Sequence, residues 1–392
     1  MRKLIVPMLC VLPMFLFACG GGGGGGGAGD TGGSPIPSIA AGERHSLVTM
    51  TDGTLWAWGR NDLSQCGTDS GGADITSPTR IGSDTDWESV EAGQAYSLAL
   101  KNDGTLWAWG NNTYSQCGTA TGVTNITAPT QVSSDTDWES VSSFGNHTLA
   151  IKNDGTLWGW GNNLNNQSAE ATANTITSPT QSGADLDWAA VSAGFYHSLA
   201  LKDDGTLWAW GANVSSECGF ATGGSDVTAP TRVGGDSDWA SVAAGFGFSL
   251  ALKENGTLWA WGGNSYSQCG TDTGGFGTNI STPTQVDSDS DWVSVTAGHY
   301  HSLGMKNNGT IWAWGSNFLY ECGFESSGAN INSPTQIEFE TDWVSFTAGH
   351  SFNLAVRGND ILWAWGDNSD RKCGLDTGVA PIERPIGILL LY

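Results

Sequence analysis

The chain has 392 residues, 57 of them Gly and 20 Trp, and its 39 acidic against 15 basic side chains give a formal net charge of −24. Charged residues are only 14% of the total, well under the roughly 25% usual in soluble domains, which argues against coiled coils and helices laced with ion pairs. The acidity argues against a nucleic-acid partner, because affinity for phosphates comes from Lys and Arg releasing counterions; the 10% aromatic and 39% apolar content supplies the core that a disordered acidic chain lacks.

Arg2 and Lys3 precede an apolar stretch from Leu4 to Ala18. It is too short, and too interrupted by Pro7 and Pro13, to prefer spanning a bilayer, and it reads as an export signal. Its end, Leu16-Phe17-Ala18-Cys19, resembles the lipobox of bacterial lipoproteins, with Phe17 in place of the usual small residue. The resemblance implies cleavage before Cys19 and acylation of that residue, so residues 1–19 are signal and lipidation site. Gly20 to Gly27 is an unbroken glycine run, and residues 20–37 read as a flexible tether. Several acyl chains anchor stably where a single chain would be marginal. Because Gly20 is not Asp, the lipoprotein resemblance implies the outer membrane, periplasmic or surface-exposed; the chain is secreted if the lipobox is not used.

From Ser38 onward the sequence repeats. The string W-x-W-G starts at Trp56, Trp107, Trp158, Trp208, Trp259, Trp312 and Trp363, at spacings of 50 to 53 residues. A second string, D-W, ends at Trp87, Trp138, Trp188, Trp239, Trp292 and Trp343, so every tryptophan lies at a repeated position. Such periodicity marks one structural unit copied seven times.

Within a unit the pattern is β. Val191 to Gly194 leads into the alternating His197-Ser198-Leu199-Ala200-Leu201, a break at Asp203-Asp204-Gly205, and then Thr206-Leu207-Trp208-Ala209-Trp210. Asp-Gly or Asn-Gly between alternating runs predicts a hairpin with a type I′ turn, which needs positive φ at both central residues. Six units carry it, at Gly53, Gly104, Gly155, Gly205, Gly256 and Gly309; the seventh has Asn359-Asp360 and is expected to turn less tightly. Pro179-Thr180-Gln181 and the D-W segment add two strands, and four short strands per unit describe a propeller blade. D-W occurs six times for seven units, which predicts one non-covalent junction. The apolar end, Pro385 to Tyr392, is expected to pair with the N-terminal segment and close the ring, since its edge would otherwise invite aggregation.

The unit A-G-x-x-H-S-L-A-L-x-x-D-G-T-L-W-A-W-G-x-N-x-x-x-Q-C-G resembles the repeat of the regulator of chromosome condensation (RCC1) family, over about Ser38 to Tyr392. The resemblance implies a seven-bladed β-propeller. The family's Gln-Leu-Gly appears here as Gln65-Cys66-Gly67 and its counterparts, and its His is Tyr96, Phe248 and Phe352 in three units. One fold hosts unrelated functions. The founding member's nuclear exchange activity fits poorly with an exported acidic chain, whereas a secreted relative that binds a protein through one propeller face is a closer precedent.

Candidate sites fall among the repeated and the variable positions. Cys66, Cys117, Cys218, Cys269, Cys322 and Cys373 recur at one position and read as buried free thiols; no C-x-x-C suggests zinc. His45, His147, His197 and His301 recur on one strand and read as structural. The acidic pairs before each D-W tryptophan, such as Asp84/Asp86 and Asp289/Asp291, read as solvated turns, with a calcium site the competing reading. Asn61 and its six counterparts read as turn formers. By contrast the two residues after the constant Gly differ from copy to copy: Glu43-Arg44, Gln94-Ala95, Phe195-Tyr196, Phe246-Gly247, His299-Tyr300 and His350-Ser351. Equivalent positions share one face of a ring, so Phe195, Tyr196, Phe246, His299, Tyr300 and His350 are expected to form a contiguous binding patch, with local packing at strand ends as the alternative. Tyr114, Tyr266, Phe318 and Tyr320 are expected on a loop rim.

The sequence thus points to an all-β chain, a seven-bladed β-propeller of about 51-residue RCC1-like repeats over residues 38–392. The expected role is a monomeric, non-enzymatic, envelope-anchored module for a protein or glycan ligand, with no cofactor or metal and no nucleic acid. A hydrolytic propeller acting on envelope polysaccharide would need unique, close carboxylates in one unit. A guanine-nucleotide-exchange-like regulator would need an inserted wedge, for which the even spacing leaves no room.

Overall fold

The alternating segments of each unit pair in chain order. In the second unit Trp87–Ala92, Tyr96–Lys101, Leu106–Asn111 and Asn125–Gln131 form one antiparallel sheet whose strand order is the sequence order. Five further four-stranded sheets repeat it, and the first sheet begins at Ser38–Ala41, so seven blades make an all-β propeller. The computed structural model describes residues 18–20, 23–25, 36–119, 122–168, 173–221, 223–271, 278–325, 328–358, 360–375 and 378–388. Two short strands, Ala18–Gly20 and Gly23–Gly25, extend the first sheet through Gly23 on Ala40, so part of the glycine run read as a tether is extended backbone in a sheet. Most of the signal lies outside the described residues.

The hairpins are real, but the turn is not type I′. At Met50 to Thr54 the Gly53 N–H bonds the Met50 carbonyl at 2.9 Å, and only Gly53 of the Asp-Gly pair has positive φ (76°). The turn is therefore type I closed by a glycine bulge, the common three-residue hairpin. Asp52 is held back because its carboxylate accepts from the Thr54 N–H and hydroxyl, at 3.0 and 2.6 Å. A Cβ on Gly53 would lie 2.1 Å from the Thr85 carbonyl of the segment entering the next blade. Glycine is thus required twice over. D-W occurs six times for seven units, and in blade seven, the unit without one after it in this sequence, Asp360 takes the position with φ 60° and the same bond, 2.9 Å to the Arg357 carbonyl. Its turn is as tight as the others, contrary to expectation.

The core is tryptophan-built. The second Trp of every W-x-W-G, from Trp58 to Trp365, is completely buried. The D-W indole meets the first Trp of the same blade edge to face, as for Trp87 and Trp107 at 5.8 Å and 79°. The fourth strand is the outer edge of each blade and carries a proline in all seven copies, Pro78 through Pro385. Proline lacks the N–H that an edge would offer to another chain.

The ring does not close as expected. Ile382–Ile388 pairs with Leu362–Gly366 of its own blade, with Trp363 opposite Gly387 and Ala364 opposite Ile386. Pro385 is the seventh copy of the edge proline, which makes this run a fourth strand rather than a free one. Ser38–Ala41 pairs with His45–Thr49 as the first strand of blade one. Among the described residues the seam between blades seven and one is therefore side-by-side packing, as the missing D-W implied, with no strand exchanged; the rest of the expected closing run, residues 389–392, lies outside them.

Candidate binding face

Residues that recur in every blade turn out to join or brace blades. The Ser97 hydroxyl donates to the Gln65 carbonyl of the preceding blade at 2.7 Å, and the Trp109 indole donates to the same oxygen at 2.9 Å. With its proton committed, Ser97 accepts from His45 Nε2–H at 2.8 Å. His147 and His197 bond Ser198 and Ser249 likewise, and His301 meets the Asn353 carboxamide oxygen at 2.7 Å. Burial lowers the pKa of His45, His147 and His197 to about 3 and of His301 to about 4. These neutral rings are joints, not catalysts. A Cβ on the constant Gly42 would stand 2.6 Å from His45 Cε1, which explains that glycine.

The acidic pairs hold lysine. Lys101 Nζ lies 2.6 Å from Asp84 and 3.0 Å from Asp86, and over the Trp87 and Trp107 rings at 4.6 and 4.9 Å. Lys152, Lys202, Lys253 and Lys306 repeat the cage, and Arg357 takes the place in blade seven. Burial opposes the charge on Lys101, but its two carboxylates outweigh that and hold its pKa above the usual value. The oxygens read as solvated turns, or as calcium ligands, are thus occupied by an ammonium. Blade one lacks both D-W and the lysine, and Met50 fills the space. The Lys that recurs before the turn in five units was the signal that sequence reading missed.

The six ring cysteines are buried and unpaired. Their thiols lie near local carbonyls, Cys66 Sγ at 3.3 Å from the Arg60 oxygen, and desolvation pushes their pKa values far up. Asn61 builds the adjoining loop: its Oδ1 accepts from the Cys66 N–H at 2.9 Å and its Nδ2 donates to the Thr68 carbonyl at 2.9 Å.

The variable positions gather at the opposite end of the ring from the lysine cages, because antiparallel order puts the Gly-x-x-His loops and the W-G-x-N loops together. Phe195 touches Tyr196 (4.7 Å between ring centroids) and Phe246 (4.8 Å). Phe246 touches His299 (4.1 Å), and His299 stacks on His350 at 3.9 Å and 27°. Tyr300 meets His299 at 4.1 Å, Phe246 at 5.4 Å and Tyr266 at 4.5 Å. All six patch candidates therefore form one cluster. It extends to Phe144 behind Phe195 and, through Tyr266, to Phe318, which is 58% exposed. Tyr114 and Tyr320 stand on loops outside this chain of ring contacts. Glu43, Phe144, Phe195 and His350, from blades one, three, four and seven, converge about a void of only about 10 Å³. His299 is buried, and desolvation with the adjacent His350 lowers its pKa to about 2.

Beside the cluster a cleft of about 590 Å³ opens between blades four, five and six, with Asn165 of blade three also in its lining. The aromatic rings of Tyr196, Phe246, Tyr266 and Tyr300 line it together with Glu217 and Gln268. Burial raises the pKa of Glu217, and the charge of Asp226 adds to the effect.

The regulator of chromosome condensation (RCC1) repeat matches residues 52–100, 103–151, 204–252, 255–305 and 308–356, more than half of the chain. The chain belongs to the RCC1 repeat family. A second description of the same repeat, in another register, matches six segments from 38–65 to 292–323. Among curated relatives, this RCC1 propeller is 25% identical over 350 residues to the RCC1 domain-containing protein RUG3, mitochondrial, of Arabidopsis thaliana, covering 86% of this chain and 66% of that one. It is 24% identical over 361 residues to the ultraviolet-B receptor UVR8 of Arabidopsis thaliana, covering 88% and 68%. Among solved structures, Prp20p of Saccharomyces cerevisiae matches with a TM-score of 0.77 at 19% identity over 89% of this chain and 86% of that one, and human WBSCR16 with 0.76 at 20% over 86% and 95%. At such identities the structures establish the fold alone. The relatives are consistent with a binding or regulatory scaffold.

Proposed function

We propose that this RCC1 propeller is a monomeric, non-enzymatic binding module, anchored in the cell envelope through Cys19, that captures a protein or glycan ligand on the face formed by Phe195, Tyr196, Phe246, His299, Tyr300 and His350. The observation that carries it is the unbroken chain of ring contacts among residues that vary between copies, while the invariant residues serve joints and cages. Large aromatics concentrated at one end of a ring are what interface hot spots are made of. The lining of the cleft supports binding over hydrolysis. Among the described residues its one carboxylate, Glu217, accepts from the Ser215 N–H at 2.6 Å, and the same acid recurs as Glu321 in blade six. A glycosidase uses two facing carboxylates.

Affinity capture from envelope extracts tests the reading, with the full chain compared against Tyr196→Ala/Tyr300→Ala and against Leu186→Ala at the opposite end. Loss of partner confined to the double variant is expected; equal recovery by all three would refute the face. Cys19→Ala is expected to move the protein out of the membrane fraction, and retention at the wild-type level would refute the anchor.

A further inference from the structure

Blade five departs from its sisters at two places on this face. After Phe246 comes Gly247, where the other blades carry Arg44, Ala95, Asn146, Tyr196, Tyr300 and Ser351. After the constant Gly262 comes Gly263, where the others carry Arg60, Asn111, Asn162, Ala212, Ser316 and Asp367. The backbone demands neither glycine, since neither has positive φ. A Cβ on Gly247 would meet nothing within 4 Å, and one on Gly263 would stand 3.1 Å from the Gly247 oxygen and 3.7 Å from Gln268 Nε2. What the two missing side chains leave is the cleft, at about 590 Å³ within the ~300–1,000 Å³ of small-ligand sites.

The chemistry of its lining narrows the occupant. Tyr196 and Tyr300 flank Gly247 from the neighbouring blades, and each is in ring contact with Phe246, at 5.7 and 5.4 Å. Glu217 and Gln268 are buried at 4% and 5% exposure. Gln268 Oε1 accepts from the Tyr266 N–H at 2.8 Å, while its Nε2 and the hydroxyls of Tyr196, Tyr266 and Tyr300 have no hydrogen-bond partner among the described residues. Among the described residues no Lys or Arg lines the cleft, so nothing in that lining would neutralise a phosphate or carboxylate, and a net charge of −24 repels such groups further. Aromatic faces beside amide, phenol and carboxyl groups suit a pyranose. Its C–H face packs on the electron-rich ring, and its hydroxyls both donate and accept.

We propose that the cleft is a subsite for a neutral oligosaccharide, with Tyr196 and Tyr300 as stacking walls and Gln268 and Glu217 as hydrogen-bonding partners. It rests on the binding-face reading and narrows the ligand to a glycan. The two glycines are the specificity-determining positions, because every sister blade carries a side chain at both places.

Isothermal titration of the full chain with maltotriose, cellotriose and triacetylchitotriose tests it, with sialyllactose and choline chloride as counter-probes. At least one neutral trisaccharide is expected to bind with a Kd of about 1 mM or tighter, and sialyllactose and choline are not. Gly247→Tyr gives blade five the residue that blades four and six already carry; it and Tyr300→Ala are each expected to weaken binding more than about tenfold at an unchanged melting temperature. No heat with any of the three up to about 10 mM overturns the proposal, as does choline binding in their place, or saccharide binding that both variants leave intact. If the saccharides fail while envelope capture still depends on Tyr196 and Tyr300, the subsite falls and the binding face stands.

Discussion

The Trp58 indole N–H donates to the Lys372 carbonyl, 2.8 Å away and 314 residues along the chain. Trp160 makes the same bond to Gln116 at 2.9 Å inside the ring, and Ser46 also donates to the Lys372 carbonyl, at 2.6 Å. The seam is thus built like every other joint. Trp58→Phe and Trp160→Phe are expected to lower stability by similar amounts, about 1–3 kcal/mol each, read from denaturant unfolding. A far larger loss at Trp58 would mark the seam as a weak point.

Position matters more than residue type at the hairpin turns. Gly104→Ala would push a Cβ to 2.3 Å from the Thr136 carbonyl at φ 76°. A loss above about 2 kcal/mol is expected from the combined strain and overlap. Asp360→Gly, at the equivalent place in the unit that no D-W segment follows, is expected to change stability by less than about 1 kcal/mol. Comparable losses from both would contradict the role given to the D-W segment.

The four joint histidines make the propeller acid-sensitive. Their folded pKa values, about 3 to 4, lie below the ordinary 6.5, so the unfolded chain binds protons that the folded one refuses. Their contribution is complete above pH 6.5 and shrinks as pH falls toward the folded values. Each is expected to cost about 1 kcal/mol by pH 5.5. A melting temperature unchanged between pH 7.5 and pH 5.5 (about two units, enough to titrate an ordinary imidazole) would refute it; His197→Phe, as in Phe248, is expected to flatten the dependence.

Lysine cages predict indifference to chelators and sensitivity to charge. EDTA and calcium are expected to leave the melting temperature unchanged. Lys101→Met, copying Met50, is expected to cost only about 1 kcal/mol, because Asp84 and Asp86 are half exposed and rehydrate. The raised pKa of Lys101 makes its contribution complete below the ordinary 10.5 and lost as pH rises through the folded value. Asp135, lowered by its bond to Lys152, contributes above 3.8 and loses that contribution as pH falls through its folded value.

The six ring thiols are expected to resist a disulfide reagent in the native state and to react once the chain is unfolded, since burial disfavours the thiolate. Mapping by mass spectrometry checks this cysteine by cysteine. Rapid native labelling at any of them would show an opening joint.

Much of the fold was legible because Trp and Asp-Gly mark each strand and turn of the unit. The turn type was not, since Asp adopts either sign of φ and only its bond to Thr54 decides. The C-terminal strand was misplaced because the register of Pro385 went unnoticed. Comparing copies located the aromatic cluster, as Phe195 and His299 stand out against Glu43 and Gln94. The cleft escaped, because a glycine among 57 carries no signal until Gly247 and Gly263 are aligned blade by blade.

Each blade is one uninterrupted stretch of chain, closed on itself by its own four strands and joined to its neighbours only sidewise. Unequal recombination between two copies of the unit in the gene would therefore delete or add a whole blade without leaving half a sheet behind. The size of the ring is open to inheritance in steps of one unit, and what checks it is whether the last carbonyl loop still comes within reach of the first indole.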